Sequence, residues 1–279
     1  MIKLITPNNW KAYHVNSNEG IGTLYDRLFL EKVFDKVIKE YKIKSVVELP
    51  VVGMNGFCGL NCVHLAKKGI KVTIVDNDKK RLEIIAKMWK KIKLNAEFIY
   101  TKEFSKFKTR KKYDLVFSLG SLWFYNEKII LKKYNNLSNR LILILTHNPN
   151  QAIYGLWKKL EPSFFLKVNE SLIKEKNFEK VLREELTNFE LIKKEYVVNP
   201  PWPGIILTKK DIINLFRKKQ EKKINKIKKI VLPDYINSYL SNPELKKKFN
   251  KFMLLEKMPV FLKKKWSHLT LWLLIKKQN

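Results

Sequence analysis

"SVVELPVVGMNGFCGLNCVHLAKKGIKVTIVDNDKKRLE", residues Ser45 to Glu83, decides how the rest of the chain is read. An apolar run, Ser45 to Leu49, passes through a loop carrying Gly53, Gly56 and Gly59 into a helix-like segment, Phe57 to Lys67. A second apolar run, Lys71 to Asp76, follows and leads into a helix from Asp78 to Ile92. Glycine where a strand turns into a helix lets backbone approach a ligand, and the helix N-terminus offers uncommitted N–H groups and a positive dipole. The spacing is G-x-x-G-x-x-G, not the G-x-G-x-x-G of a dinucleotide-binding turn. Glu48, closing the first strand, would repel a pyrophosphate but suits an ammonium group. Asp76 closes the second strand, where a carboxylate accepts bonds from ribose hydroxyls.

Outward from this stretch, strands and helices alternate. Gly22 to Tyr41 places Leu24, Leu28, Val33, Val37 and Tyr41 at helical spacing. Beyond the second helix come strands Ala96 to Tyr100 and Tyr113 to Leu119, a helix Asn126 to Tyr134 and a strand Arg140 to Thr146. Several of these strands are almost continuously apolar, which predicts a mainly parallel sheet covered on both faces, with ligands at its carboxyl edge. After Thr146 the pattern loosens: Val168 to Leu186 reads as helix, "FELIKKEYVVNPPWPG" as a strand running into a proline-rich loop, Thr208 to Pro259 as helical, and "WSHLTLWLLIKK" as a closing strand.

Composition sets the bounds. With 279 residues, 45% of them hydrophobic, the chain can bury a large core. Its net charge of +31 attracts phosphate polymers, anionic lipid or acidic ligands, although lysine-rich composition alone also produces such a charge. The charge is concentrated: Lys209 to Lys265 holds 18 Lys and Arg against five Asp and Glu. Cys58 and Cys62, four residues apart, give no zinc pattern beside histidines 14, 64, 147 and 268. They read as packing side chains and fit a reducing cytoplasm. The longest apolar run, Leu269 to Ile275, is too short to span a bilayer.

"VVELPVVGMNGFCGLN", "VTIVDND" and "YDLVFSLGSLWFY" together resemble the class I S-adenosylmethionine-dependent methyltransferases, over about Ser45 to Asn150, with a lengthened first loop in which Pro50 and Val51 replace the first glycine region. The resemblance implies a three-layer Rossmann-like α/β fold with a mostly parallel seven-stranded sheet whose last strand, Ser267 to Lys276, is inserted antiparallel. It implies one domain: an N-terminal helical cap (1–44), a cofactor-binding core (45–150) and a basic helical insertion (200–265) before the last strand. With S-adenosylmethionine as cofactor, Glu48, Gly53 and Gly56 line its methionine end and Asp76 its ribose. Asn77 meets the adenine edge, Glu103 the adenine amine, and Ser118 and Leu119 lie beneath the cofactor.

Two motifs bear on the acceptor. "NPPW", Asn199 to Trp202, matches the sequence with which amine-directed nucleobase methyltransferases clamp a flipped base, but it does not follow the fourth strand, so Trp202 is expected as a wall of the substrate pocket. "THNPNQAIYG" after the fifth strand offers His147 as general base, with Asn148 and Asn150 positioning the acceptor. The leading expectation is methyl transfer to a small or lipid-like molecule. The alternatives are an RNA-modifying enzyme with Lys209 to Lys265 on the phosphates, a non-catalytic domain that keeps the fold, and a nicotinamide dehydrogenase; the partner expected for that basic segment is RNA or an anionic membrane surface.

Overall fold

The structure, a computed structural model, describes residues 20–51, 58–151, 175–198, 250 and 253–278. Seven strands form one sheet: β1 (Ser45–Glu48), β2 (Lys71–Asp76), β3 (Glu97–Tyr100), β4 (Tyr113–Leu119), β5 (Ser138–His147), β6 (Phe189–Val197) and β7 (Leu269–Lys276). Their spatial order is β3-β2-β1-β4-β5-β7-β6. The first five run parallel, while β7 lies between β5 and β6 and is antiparallel to both. The expected inserted last strand is present. The order reverses between β1 and β4, which is where an open α/β sheet leaves a crevice at its carboxyl edge.

The two-residue side-chain period of the strands feeds two cores. Val46, Leu141, Leu143, Leu145, Leu271 and Leu273 point to one face, against Tyr25, Phe34, Leu65, Ile85 and Trp89. Those residues come from helices α1 (Gly20–Tyr41), α2 (Val63–Lys67) and α3 (Lys79–Lys91). Val47, Ile142, Ile144, Trp272 and Leu274 point to the other face, against Leu131, Tyr134, Phe178 and Leu182 of α4 (Glu127–Leu137) and α5 (Glu175–Glu185). A last short helix, α6 (Val260–Trp266), precedes β7. The result is three layers.

Of the boundaries that differ from the sequence reading, two bear on the site. The helix expected from Phe57 begins, among the described residues, only at Val63, because turns at Cys58–Gly59 and Asn61–Cys62 come first. Gly59 has φ +70, and a Cβ built there would lie 2.7 Å from the Ile85 side chain. Its carbonyl accepts a bond from Trp89 Nε1 at 2.8 Å. This glycine therefore serves the turn and close packing on α3. The fifth strand, expected to stop at Thr146, runs to His147, which pairs with Leu269 across the antiparallel edge. Gly53, Gly56, Trp202 and the helices expected between residues 208 and 249 lie outside the described residues.

Candidate functional site

Parallel pairing puts Glu48 opposite Ile74 and opposite Phe117, so Glu48, Asp76 and Ser118 all sit at the carboxyl edge around the point where strand order reverses. Glu48 is 1% exposed. Its Oε1 accepts from Asn61 Nδ2 at 2.7 Å, and Asn61 Oδ1 in turn accepts from Arg27 Nη1 of α1 at 2.9 Å. The other oxygen, Oε2, is buried with no partner of hydrogen-bond geometry. Burial pushes the Glu48 carboxyl up to about 7, against the opposing pull of Asn61, of the weak thiol donor Cys62 and of Arg27.

Asp76 is 0% exposed and its environment is entirely different. Arg81, the third residue of α3, folds back over it: Nε donates to Oδ2 at 2.8 Å, and Nη2 donates to Oδ1. The Asp78 N–H also donates to Oδ1 at 2.8 Å, and the Asn77 N–H adds a further bond to the carboxylate. Burial pushes the Asp76 carboxyl upward, and Arg81 with these two amides pulls the other way. Burial also works against the charge on Arg81, yet the Asp76 hydrogen bonds and charge hold the guanidinium above its ordinary value. The fork-to-fork geometry makes this an ion pair. Asn77 Oδ1 accepts from Arg81 Nη2 at 3.3 Å and from the Tyr125 hydroxyl at 3.4 Å, and Tyr125 packs edge-on against Phe104.

Glu103 follows β3 at an exposed turn, its Oε1 accepting from Lys106 Nζ at 2.9 Å. The Lys106 ammonium holds its carboxyl below the usual range. Ser118 and Leu119 are both buried at the end of β4, followed by Gly120 in the left-handed region at φ 65.

On the β5 and β7 side, His147 is 2% exposed, its ring centroid 4.8 Å from that of His268. His268 Nδ1 lies 3.6 Å from Asp26 Oδ2 of α1. Burial, reinforced by His268, pushes the His147 pKa well below the ordinary imidazole value, so the ring is neutral at pH 7. Asn148, expected to position an acceptor, is instead committed to the fold. Its Nδ2 donates to Lys264 O at 2.8 Å and Ser267 O at 2.9 Å, and its Oδ1 accepts from the Asn150 N–H at 3.0 Å. Asn150 is exposed.

The sequence reading singled out Glu48, Asp76 and His147, which the structure buries, but not Arg81, Asn61, Arg27, Tyr125 and His268 beside them. One signal was available for two of these. Only six of the 57 basic residues are arginine, and in a lysine-rich chain an arginine marks a place where a planar fork is needed. Among the described residues no cluster of three or more His, Cys, Asp or Glu could hold a metal ion, and no helix is long and apolar enough to cross a membrane.

No family model matches the chain, and no curated protein matches it. Solved structures do. The chain is similar to an S-adenosylmethionine-dependent methyltransferase from Clostridium acetobutylicum, at 10% identity over 91% of this chain and 92% of that one, with TM-score 0.50. It is also similar to the MccD protein, at 15% identity over 88% of this chain and 96% of that one, with TM-score 0.52. At such identities the likeness is one of fold, and that fold is the mostly parallel α/β arrangement of S-adenosylmethionine-dependent methyltransferases.

Proposed function

We propose that this chain is an S-adenosylmethionine-dependent methyltransferase acting on a small or lipid-like acceptor. The observation that carries the reading is Glu48: a buried carboxyl at the end of β1, beside the strand-order reversal, with one oxygen held by Asn61 and the other without a hydrogen-bond partner. A buried acceptor left open is costly unless a ligand donates to it, and an ammonium group is the donor such a site fits. The cofactor, when bound, supplies an electrophilic methyl group on a sulfonium, a strong leaving group. The chain has then to position the acceptor in line and keep water out.

The residues present meet the cofactor only in part. Glu48 suits the ammonium end. Asp76 does not suit the ribose in the arrangement described, because Arg81 and two backbone amides already occupy its carboxylate. His147 is proposed as the base that takes up a proton from a hydroxyl, thiol or amine acceptor: its ring is in the neutral, accepting form at pH 7, and its lowered pKa makes it a weak base.

Calorimetric titration with S-adenosylmethionine, S-adenosylhomocysteine and NAD tests the cofactor. Labelled methyl donor offered with small-molecule, lipid and RNA fractions then tests the acceptor. Binding of NAD in preference to both adenosyl compounds would overturn the proposal, and methyl label confined to RNA would move it to the RNA-modifying alternative. Binding without label in any fraction would leave the domain without turnover.

A further inference from the structure

We propose that Arg81 is a latch on the carboxylate that would hold a cofactor ribose: resting on Asp76 it excludes the ribose, and it admits the ribose by passing to Asp78. The inference rests on the methyltransferase reading above and names how that site is opened.

A carboxylate has about four acceptor positions. Those of Asp76 are taken by Arg81 Nε, Arg81 Nη2 and the N–H groups of Asp78 and Asn77. The side chains of Arg81 and Asp76 are 1% and 0% exposed, so neither solvent nor ligand reaches the pair from outside. Vicinal ribose hydroxyls need acceptors on this same carboxylate, and they can gain them only as Arg81 gives them up.

The structure supplies a place for the guanidinium to go. Arg81 Nη1 already lies 3.6 Å from Asp78 Oδ2. Asp78 is the N-cap of α3, with Oδ1 bonded to the Arg81 N–H at 3.0 Å and its side chain 34% exposed. A rotation about the side-chain torsions of Arg81 therefore exchanges a buried carboxylate for one facing water, without moving the helix. Asn77 Oδ1, 3.3 Å from Nη2, gives an intermediate acceptor along that arc. A lysine would be a poor substitute, since its single ammonium cannot span both oxygens of Asp76.

If the pair were only a staple between β2 and α3, breaking it would lower stability and leave ligand affinity alone. The latch predicts affinity changes of opposite sign at two positions. Arg81→Met removes the competitor, and S-adenosylhomocysteine should bind about tenfold tighter or more, as expected when a competent fraction near one in ten becomes the whole. Arg81→Lys, which keeps the buried charge balanced, should fall between wild type and Arg81→Met. Asp78→Asn keeps a good N-cap but removes the receiving charge, and should bind several-fold more weakly than wild type at nearly unchanged melting temperature.

The measurements are calorimetry with S-adenosylhomocysteine, melting curves, and the Arg Nε–H resonance in nitrogen-15 spectra. That resonance should be protected from exchange in the ligand-free protein and lose protection on binding. Should Arg81→Met fail to fold, Arg81→Lys, Asp78→Asn and the resonance still decide. Equal affinities in all variants, weaker binding by Arg81→Lys, or a resonance indifferent to ligand would overturn the latch and leave the methyltransferase reading standing. Absence of binding by every variant would overturn both.

Discussion

Glu48 and Asp76 end adjacent parallel strands and are equally buried, yet they meet burial with different partners. Glu48 is met by neutral donors, with the Arg27 guanidinium one residue removed behind Asn61, and burial pushes its carboxyl up to about 7. Asp76 is met by a guanidinium in bidentate contact, whose pull opposes the upward push of burial on its carboxyl. Burying a carboxylate can be tolerated by making it easy to protonate or by delivering a counter-charge. This sheet edge does one at each strand, so the first site can hold a proton or a ligand cation, and the second is filled from within.

Breaking the filled site should have the largest effect. Arg81→Ala strands a buried carboxylate, and Asp76→Asn a buried guanidinium, so each should lose about 3–5 kcal/mol in urea unfolding, with the double variant Asp76→Asn/Arg81→Met costing less than the sum. The open site should show itself through pH. Because its folded pKa is raised to about 7 from an ordinary 4.5, the folded chain keeps a proton that the unfolded chain has released. The stability this gives is full below the ordinary carboxyl value and is lost as pH rises through 7, by about 3 kcal/mol at 1.4 kcal/mol for each pKa unit. Glu48→Gln should flatten that slope, read by melting from pH 4 to 8.

The contact between the two regions is next in size. Gly59→Ala forces a side chain into a left-handed position and against Ile85, and should cost about 2–3 kcal/mol in unfolding experiments. Farther from the carboxylates, Asn148→Ala removes the donors from two carbonyls and should cost about 1–2 kcal/mol. A loss of methyl transfer beyond that explained by stability would instead return Asn148 to the acceptor site.

The strand ends were legible because each needs only a period-two apolar run and a polar residue to stop it, which is why Glu48, Asp76 and the parallel order could be read directly. The inserted strand β7 was legible from its place after a long polar stretch together with a family resemblance. Arg81 was not, because in "DNDKKRLE" it looks like one more surface cation at the start of a lysine-rich helix. The fold-back onto Asp76 depends on a side-chain path that no periodicity records. His147 was found as a residue but misjudged as a loop histidine, since the strand pairing that buries it comes from Leu269, more than a hundred residues away. His268 was missed for the same reason: its relation to Asp26 and His147 exists only across α1, β5 and β7.

The placement of β7 has a consequence for how the protein is made. Of the seven strands in this sheet it comes after the other six in sequence, yet it lies inside the sheet and closes β5 on one side and β6 on the other. Until it leaves the ribosome, β5 presents "LILILT" as an open, apolar strand edge, the kind that pairs with any chain at hand. A nascent chain stalled before residue 269 should therefore be a strong client of chaperones that guard exposed strands, and should lose that dependence once β7 has emerged.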